Sequence, residues 1–381
     1  MTIFEELGKF NFTQPIMNNE QKEFVTALKV MTEGKEGLST DILKRLYADS
    51  KDSLLKSSCA KILFELYFIK SEYKELEKLG LLEDENIDKS NRFIAKALSQ
   101  YEQATFSFVN DKISLPLKRS ISGSPTIDIV INGRKKCFWL DTGAGMTVIS
   151  SNIVKECGMN LIENEEFEVG NSSNQSFHTD LAIIDSIVIN DLTISNQATL
   201  VLSSELLKIP IPHSEKIMEI DGIIGWDIIQ HLHFEMDYGK EQVIIQKPKR
   251  KIGEANNLFF CGYPIIKVKD KNQVPLYFGL DTGANGSYFG KNLLSKIEGL
   301  QLKKKTKFSG GFGDVKERVV ESIEELTVYL DENQSITLKN LSETLTDLAT
   351  FFKLDGVFGI DIARSGSLVI DYSNRNIELK N

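Results

Sequence analysis

The sequence predicts an all-β, bilobal architecture: two duplicated β-rich lobes preceded by an α-helical N-terminal domain. One observation is a repeated phrase, because FWLDTGAGMTVIS at residues 138–150 returns as FGLDTGANGSYFG at 278–290. Another is a change of hydrophobic periodicity along the chain, since apolar residues recur first at helical spacing and later in short alternating runs. We therefore predict an α-helical domain over residues 1–104, a first lobe over 105–250 and a second lobe over 251–381.

The repeat extends well beyond the two acidic turns. IDGIIGWDII is followed by FEMDYGKEQVII in the first copy, and LDGVFGIDIA is followed by LVIDYSNRNIEL in the second. Asp221 and Asp237 are 16 residues apart, and so are Asp355 and Asp371. Landmarks that recur in one order at one spacing indicate an internal duplication. We interpret these four aspartates as structural residues that hold turns and strand ends.

Each lobe begins with the pattern of a β-hairpin. TIDIVINGRKKCFWL alternates and then turns at Asn132-Gly133, which is a strong signal for a two-residue hairpin loop. YPIIKVKDKNQVPLYFGL repeats the arrangement, with its turn near Lys271-Asn272. After each acidic turn we expect a short helix that ends at a glycine, Gly158 in the first copy and Gly299 in the second.

Composition excludes several classes of partner. The net charge of −9 leaves no electrostatic footprint for nucleic acid and argues against an anionic membrane surface. No stretch reaches the roughly 20 apolar residues that a membrane span requires. The beginning, MTIFEELGKFNF, lacks the apolar core of a signal peptide, so we expect a cytoplasmic protein. A secreted or lipid-anchored form whose leader was already removed is left open.

Cysteine and histidine patterns give no metal site. Cys59, Cys137, Cys157 and Cys261 form no C-x-x-C pair, so we expect free thiols. The four histidines do not combine with these cysteines at ligand spacing. We therefore expect neither a metal nor a cofactor.

Asp141 and Asp281 are the candidate catalytic residues. Each follows an apolar approach strand and opens an Asp-Thr-Gly-Ala turn. If the lobes pack about a pseudo-twofold axis, the two turns meet and the two carboxyl groups face each other. Carboxylates about 3 Å apart cannot both ionise, so such a pair holds one proton. One member then acts as a general base and the other as a general acid.

These turns, together with the downstream IIG at 223–225 and VFG at 357–359, resemble the aspartic proteases, the pepsin and retropepsin class. The resemblance runs from Thr105 to the end and is to a single-chain, two-lobed form of bacterial type. It implies an endopeptidase in which Asp141 and Asp281 activate a water molecule without a metal or a covalent intermediate. Because both lobes lie in one chain, dimerisation is not needed for the site.

The same resemblance assigns supporting roles. Thr142 and Thr282 would interlock across the lobe boundary through hydrogen bonds from hydroxyl to backbone. Gly143 and Gly283 would supply backbone contacts near the carboxyl groups.

The residue after each Asp-Thr-Gly is an alanine, Ala144 or Ala284, as in retropepsins, whereas pepsins place Ser or Thr there. A hydroxyl at that position favours the ionised carboxylate. Its absence should therefore raise the pKa at which the pair titrates. We expect activity at mildly acidic to neutral pH.

The resemblance also predicts hairpin flaps that cover a substrate. The candidates are VGNSSNQSF at 169–177 and the glycine-rich FSGGFGDV at 308–315. An extended peptide would pair with a flap as an added strand. The predicted flap and substrate-binding residues are Gly170, Asn171, Gly310, Gly311, Phe312 and Gly313. SSELLKIPIPHSEKIME, which precedes the Asp221 element, is interpreted as a loop insertion.

Two other classes of function stay open. One is a catalytically silent peptide- or partner-binding module on the same fold. The other is an interaction protein in which the helices do the work. For a peptidase, the helical domain would recruit a peptide or protein substrate, or mask the cleft, and the sequence does not choose.

Overall fold

Helices occupy the first hundred residues and strands dominate the rest, as predicted. The structure, a computed structural model, describes residues 2–13, 17–120, 123–170, 175–210, 217–250, 256–311, 314–344, 351–364 and 366–380.

The helices pack through their apolar faces around buried residues such as Phe24, Leu28 and Leu63. Their bounds are α1 Ile3–Gly8, α2 Asn19–Thr32, α3 Glu36–Asp49, α4 Ser53–Phe68, α5 Tyr73–Lys78 and α6 Lys89–Leu98. Side-chain oxygens of the residues before α2, α4 and α6 accept hydrogen bonds from the free N–H groups of the first turn.

The strands that follow are mostly short. They are β1 Thr105–Phe108, β2 Lys112–Pro116, β3 Lys118–Arg119, β4 Pro125–Ile131, β5 Arg134–Leu140, β6 Val148–Ser150, β7 Leu161–Ile162, β8 Glu168–Gly170, β9 Ser176–His178, β10 Asp180–Ile189, β11 Leu192–Leu202, β12 Lys208–Pro210, β13 Ile217–Glu219, β14 Gly222–Ile224, β15 His233–Asp237, β16 Gln242–Gln246, β17 Leu258–Phe260, β18 Pro264–Lys269, β19 Pro275–Leu280, β20 Tyr288–Phe289, β21 Leu302–Gly311, β22 Asp314–Tyr329, β23 Ser335–Glu343, β24 Gly356–Phe358, β25 Ser367–Asp371 and β26 Asn376–Lys380.

Short helices lie between these strands. They are α7 Ser151–Glu156, α8 Trp226–Ile229 and α9 Lys291–Lys296, with 3₁₀ turns at Ile360–Ala363 and Tyr372–Asn374. Gly158 follows the C-cap of α7 with positive φ, where the sequence predicts the helix end. α9 ends at Lys296 with an extended residue at Ile297, three residues before the predicted Gly299, so that predicted end is too late.

Three larger sheets organise the strands. The first has the order β1-β11-β6-β14-β5-β4-β10-β7, with β3 on β4, and the second has the order β17-β18-β19-β24-β20-β23-β22-β21. A five-stranded sheet, β2-β16-β15-β25-β26, takes one strand from within the first sheet's part of the chain, two from between the other sheets and two from after the second. It therefore joins the first and second halves of the β region through backbone hydrogen bonds.

The same local arrangement occurs in both large sheets. β14 lies parallel to β5 and antiparallel to β6, and β24 lies parallel to β19 and antiparallel to β20. β4 and β5 meet at Asn132-Gly133, where both residues have positive φ, so the predicted two-residue hairpin is confirmed. These equivalent positions place the two acidic turns at the ends of β5 and β19.

The helices pack directly against the β region. The ring of Phe10 stacks between Tyr277 at 3.7 Å and Phe352 at 4.1 Å between centroids. Glu36 of α3 pairs with Arg375 at 3.0 Å and accepts a hydrogen bond from the Tyr372 hydroxyl at 2.6 Å. Aromatic stacking and a buried ion pair therefore fix the helices on the second half.

All four cysteines are free thiols, as predicted. In the described part of the chain, none of the helices combines the length and the apolar character that crossing a bilayer requires.

Glu65 is an acidic residue at the interface between the helices and the sheets. One of its carboxyl oxygens is buried with no hydrogen-bond partner among the described residues, and its charge acts on the buried Cys261 thiol. Burial raises the pKa of Glu65 to about 8, and Lys61 offsets that effect only in part.

We predict that Glu65→Gln stabilises the protein at alkaline pH. The pKa of Glu65 in the folded protein, about 8, is above its ordinary 4.5, so its stability contribution is complete below pH 4.5 and is lost as pH rises through 8. Glutamine cannot ionise, and the expected gain near pH 9 is on the order of 2 kcal/mol. Urea denaturation across this pH range measures it.

The matched control is Glu77→Gln on an exposed face of α5, which should leave the pH dependence of unfolding unchanged. Parallel pH dependence in Glu65→Gln and the unmodified protein would contradict the prediction.

Candidate active site

Asp141 and Asp281 occupy equivalent positions directly after β5 and β19. The backbone N–H of Asp141 donates to the Ile224 carbonyl of β14 at 3.0 Å. The N–H of Asp281 donates to the Phe358 carbonyl of β24 at 2.9 Å. Each aspartate is therefore anchored by the strand that pairs in parallel with its own approach strand.

The strands β14 and β24 continue beneath the turns through a glycine. A Cβ on Gly225 or on Gly359 would lie 2.7 Å from backbone atoms of the turn above, so only glycine fits at either position. The next residue then donates its N–H to the carbonyl of the alanine that ends the turn, at 2.7 Å in the first half and 2.9 Å in the second. Both turns are thus supported from below in the same way.

Thr142 and Thr282 join the two turns reciprocally. Each hydroxyl accepts the N–H of the other threonine at 3.0 Å. Each hydroxyl also donates at 2.8 Å to the other half, Thr142 to the Leu280 carbonyl and Thr282 to the Leu140 carbonyl. Both threonines are buried, so four hydrogen bonds cross the boundary out of contact with water.

This interlock brings the two carboxyl groups close to each other. The charge of Asp141 acts on the carboxyl group of Asp281. A Cβ on Gly143 would lie 2.8 Å from Cγ of Asp281, and one on Gly283 would lie 2.6 Å from Cγ of Asp141. Each glycine therefore lies against the carboxyl group of the opposite turn, at a distance that no side chain permits.

Backbone donors orient both carboxyl groups. Oδ1 of Asp141 accepts from the N–H groups of Gly143 at 2.8 Å and Ala144 at 3.3 Å. Oδ1 of Asp281 accepts from the N–H of Ala284 at 3.0 Å. Oδ2 of Asp141 lies 2.5 Å from the position that a Cβ would take on Gly283.

The environment raises the pKa of both aspartates. Burial is the largest cause at each residue, and for Asp281 the charge of Asp141 adds to it, while the backbone donors oppose it. Both residues keep part of their surface accessible to water although protein atoms surround them densely. Two carboxyl groups that interact in this way titrate as a pair rather than independently.

The predicted flap residues lie at the ends of two hairpins. Gly170 ends β8, which pairs with β9. Gly310 and Gly311 end β21, which pairs with β22 from Leu302↔Ile323 as far as Gly311↔Asp314. Asn171, Phe312 and Gly313 lie outside the described residues.

The two hairpins have different surroundings. The Ser90 hydroxyl of α6 donates to the Glu168 carbonyl at 2.9 Å and accepts the Glu168 N–H at 2.6 Å, while Lys89 pairs with Glu166 at 2.7 Å. The helices therefore hold the base of the β8–β9 hairpin. The predicted loop insertion instead contains the hairpin β12–β13, and β12 lies against β22.

Two aspartates that the sequence analysis did not single out support the turns. Asp227 accepts from the N–H of Thr147 at 2.9 Å and its hydroxyl at 2.8 Å. Asp361 accepts from the N–H of Ser287 at 3.0 Å and its hydroxyl at 2.6 Å. The sequence does contain a pattern that points to them, because an aspartate follows IIG and VFG at the same spacing in both copies.

Tyr263 is a third residue that sequence reasoning missed. Its hydroxyl lies beside Asp281 and Gly143, and the residue belongs to the segment just before β18. The repeated sequence pattern could not reveal it, because the equivalent position of the first half is Ser124.

The described residues contain no cluster of three or more His, Cys, Asp or Glu side chains that could hold a metal ion.

Comparison with known proteins supports an aspartic protease family. Residues 127–228 match the family model described as aspartyl protease, a segment that contains Asp141 and ends before Asp281. None of the curated proteins matches the chain.

Among solved structures, the chain is similar to a retropepsin-like aspartic protease from Rickettsia conorii. The sequence identity is 15%, the alignment covers 38% of this chain and 96% of that one, and the TM-score is 0.25. A superposition at this TM-score does not establish a shared fold, so the family assignment rests on the match over residues 127–228.

The interlock gives a test of stability. Thr142→Ala leaves the Leu280 carbonyl and the Thr282 N–H without their partner, and burying two such groups should destabilise the protein by about 2–4 kcal/mol. Thr142→Ser keeps the hydroxyl and should cost less than about 1 kcal/mol. Chemical denaturation at neutral pH measures both variants, and equal unfolding midpoints for the two would contradict the proposed importance of the hydroxyl.

Proposed function

We propose that the protein is an aspartic endopeptidase whose catalytic pair is Asp141 and Asp281, one from each of two duplicated lobes. The observation that carries the proposal is the proximity of these carboxyl groups across the Thr142–Thr282 interlock. The family match over residues 127–228 supports the same class of chemistry. The domain boundaries we propose remain 1–104, 105–250 and 251–381.

The proposed reaction begins with a water molecule bound between the two carboxyl groups. The ionised member takes a proton from this water as its oxygen attacks the carbonyl carbon of the scissile bond. The protonated member gives its proton to the carbonyl oxygen, so a neutral tetrahedral diol forms. The proton taken from water then passes to the leaving nitrogen, one hydroxyl returns its proton to the pair, and the C–N bond breaks.

The substrate we propose is a peptide or protein segment in extended conformation. Hairpin β21–β22 offers backbone groups along its length for an added strand, and β8–β9 offers a shorter edge. Since both aspartates come from one chain, the site needs no second copy.

We predict that both Asp141→Asn and Asp281→Asn lower peptide cleavage by about 10³-fold or more, because either change removes one member of the acid–base pair. Mass spectrometry of a peptide library incubated with each protein measures this. Asp41→Asn, on an exposed face of α3, is the matched control and should cleave normally.

The same experiment separates the alternatives. Cleavage at the normal rate by either Asn variant would exclude the proposed pair. Peptide binding of equal strength in all proteins, with no cleavage by any, would favour the silent binding module.

The pH dependence follows from the raised pKa values. Activity requires one proton on the pair, so it falls at low pH when a second proton binds and at high pH when the last proton leaves. Burial and the neighbouring carboxylate raise the pKa of Asp281 well above its ordinary 3.8, which moves the alkaline limb upward. We therefore predict an optimum of kcat/KM at mildly acidic to neutral pH. A maximum confined to the strongly acidic range of pepsin would contradict this.

A further inference from the structure

The surroundings of the carboxyl pair are not symmetric, and the difference centres on Tyr263. A Cβ on Gly143 would lie 2.6 Å from the Tyr263 hydroxyl and 2.9 Å from Oδ1 of Asp281. The hydroxyl, the carboxyl group and the glycine of the opposite turn therefore meet at one point. The hydroxyl therefore lies beside Asp281, and Tyr263 is 9% exposed.

Strand register shows what stands at this place in the first half. Ile127 pairs with Phe138 and Ile266 pairs with Phe278, and both phenylalanines precede their aspartate by three residues. Counting back from the two isoleucines makes Ser124 the equivalent of Tyr263. The Ser124 hydroxyl donates to the Gly283 carbonyl at 3.1 Å. At this position the first half has the short side chain of Ser124 against backbone. The second half has the phenol of Tyr263, which extends to a carboxyl group.

The second half is shaped to receive the phenol ring. A Cβ on Gly279 would lie 2.8 Å from Cδ1 and Cε1 of Tyr263, so a side chain at that position would displace the ring. In the first half the equivalent residue is Trp139. Tyr263 and Gly279 therefore form a complementary pair, and Ser124 and Trp139 stand in their places in the other copy.

The turns also lack a hydroxyl of their own, because Ala144 and Ala284 follow the two Asp-Thr-Gly sequences. Burial raises the pKa of Tyr263 well above its ordinary value, so the phenol keeps its proton and donates it toward the carboxylate. A hydrogen bond donated to a carboxylate stabilises the ionised form.

The titratable groups that face Asp281 include Asp141, Tyr263 and Tyr288 of β20. The charge of Asp361 also acts on Tyr288, and the Lys307 ammonium lies 4.2 Å from the centre of the Tyr288 ring. Of the two tyrosines, Tyr263 is the one whose hydroxyl lies against Gly143 beside Oδ1 of Asp281.

We propose that Tyr263 is a positioning residue of the carboxyl pair, whose hydroxyl orients Asp281 and stabilises the singly ionised form that attacks through water. It supplies from one side the hydroxyl that both turns lack. Its role in turnover rests on the proposed peptidase function, whereas the proposed hydrogen bond to Asp281 does not.

The test compares Tyr263→Phe with the unmodified full-length chain. Losing a donor to the ionised form raises the pKa at which the pair loses its first proton. The acid limb of the kcat profile on a cleaved library peptide should therefore move up by about one pH unit, with KM little changed. Tyr238→Phe is the matched control, because that buried hydroxyl contacts only the Met236 sulfur at 3.6 Å among the described residues.

A second readout does not require activity. Carboxyl carbon NMR of aspartate-labelled protein should show the same upward shift of the pair in Tyr263→Phe and none in Tyr238→Phe. 3-Fluorotyrosine at position 263, a stronger donor of nearly the same shape, should move the titration and the acid limb downward. This variant keeps the test valid if Tyr263→Phe folds poorly.

Unchanged carboxyl titration in both position-263 variants would overturn the proposal. If no protein cleaves any peptide and the titration still shifts, the proposed function fails while the hydrogen bond from Tyr263 is upheld.

Discussion

The reciprocal hydrogen bonds between Thr142 and Thr282 are the interaction on which the candidate site depends. Two acidic turns on separate sheets become one site only if their backbones are held at a fixed distance, and these buried bonds set that distance. The requirement extends outward to the glycines. Gly143 and Gly283 must lack a side chain because the opposite carboxyl groups occupy that volume, and Gly225 and Gly359 must lack one because the backbone of the turn above each of them occupies it.

Around this nearly symmetric centre the chain places different elements on its two sides. Tyr263 and Gly279 stand where Ser124 and Trp139 stand in the other half, so the two carboxyl groups have unequal partners. Two copies of one turn provide two identical acids, yet the proposed general acid and general base catalysis needs them to differ in protonation. In the proposed pair, unequal surroundings favour one arrangement of the shared proton over the other.

The helices take part in this asymmetry because they pack close to the site. The Gln230 side chain donates to the Ile69 carbonyl at 2.6 Å, and Cδ1 of Ile69 lies 3.8 Å from the position a Cβ would take on Gly145, just after the first turn. α6 holds the base of the β8–β9 hairpin, while β12 lies against β22. A substrate that opens or displaces these hairpins would therefore meet different resistance on the two sides.

Local chemistry accounts for what could be predicted from the sequence. The two-residue hairpin at Asn132-Gly133, the glycine that follows α7, and the change from helices to strands each depend on neighbouring residues. The repeated Asp-Thr-Gly turns were recognisable because the two sequence copies share their spacing, and from that spacing Asp141, Asp281 and their threonines followed.

Tertiary structure decided the rest, because the deciding contacts join residues far apart in the chain. Tyr263 reaches Asp281 only through the register of β18 on β19, and it has no counterpart in the first half that could have drawn attention to it. Ser90 meets Glu168 because α6 packs beside β8, a pairing that neither segment encodes alone. Burial likewise depends on the assembled fold, and burial is what raises the pKa of both catalytic candidates and of Glu65.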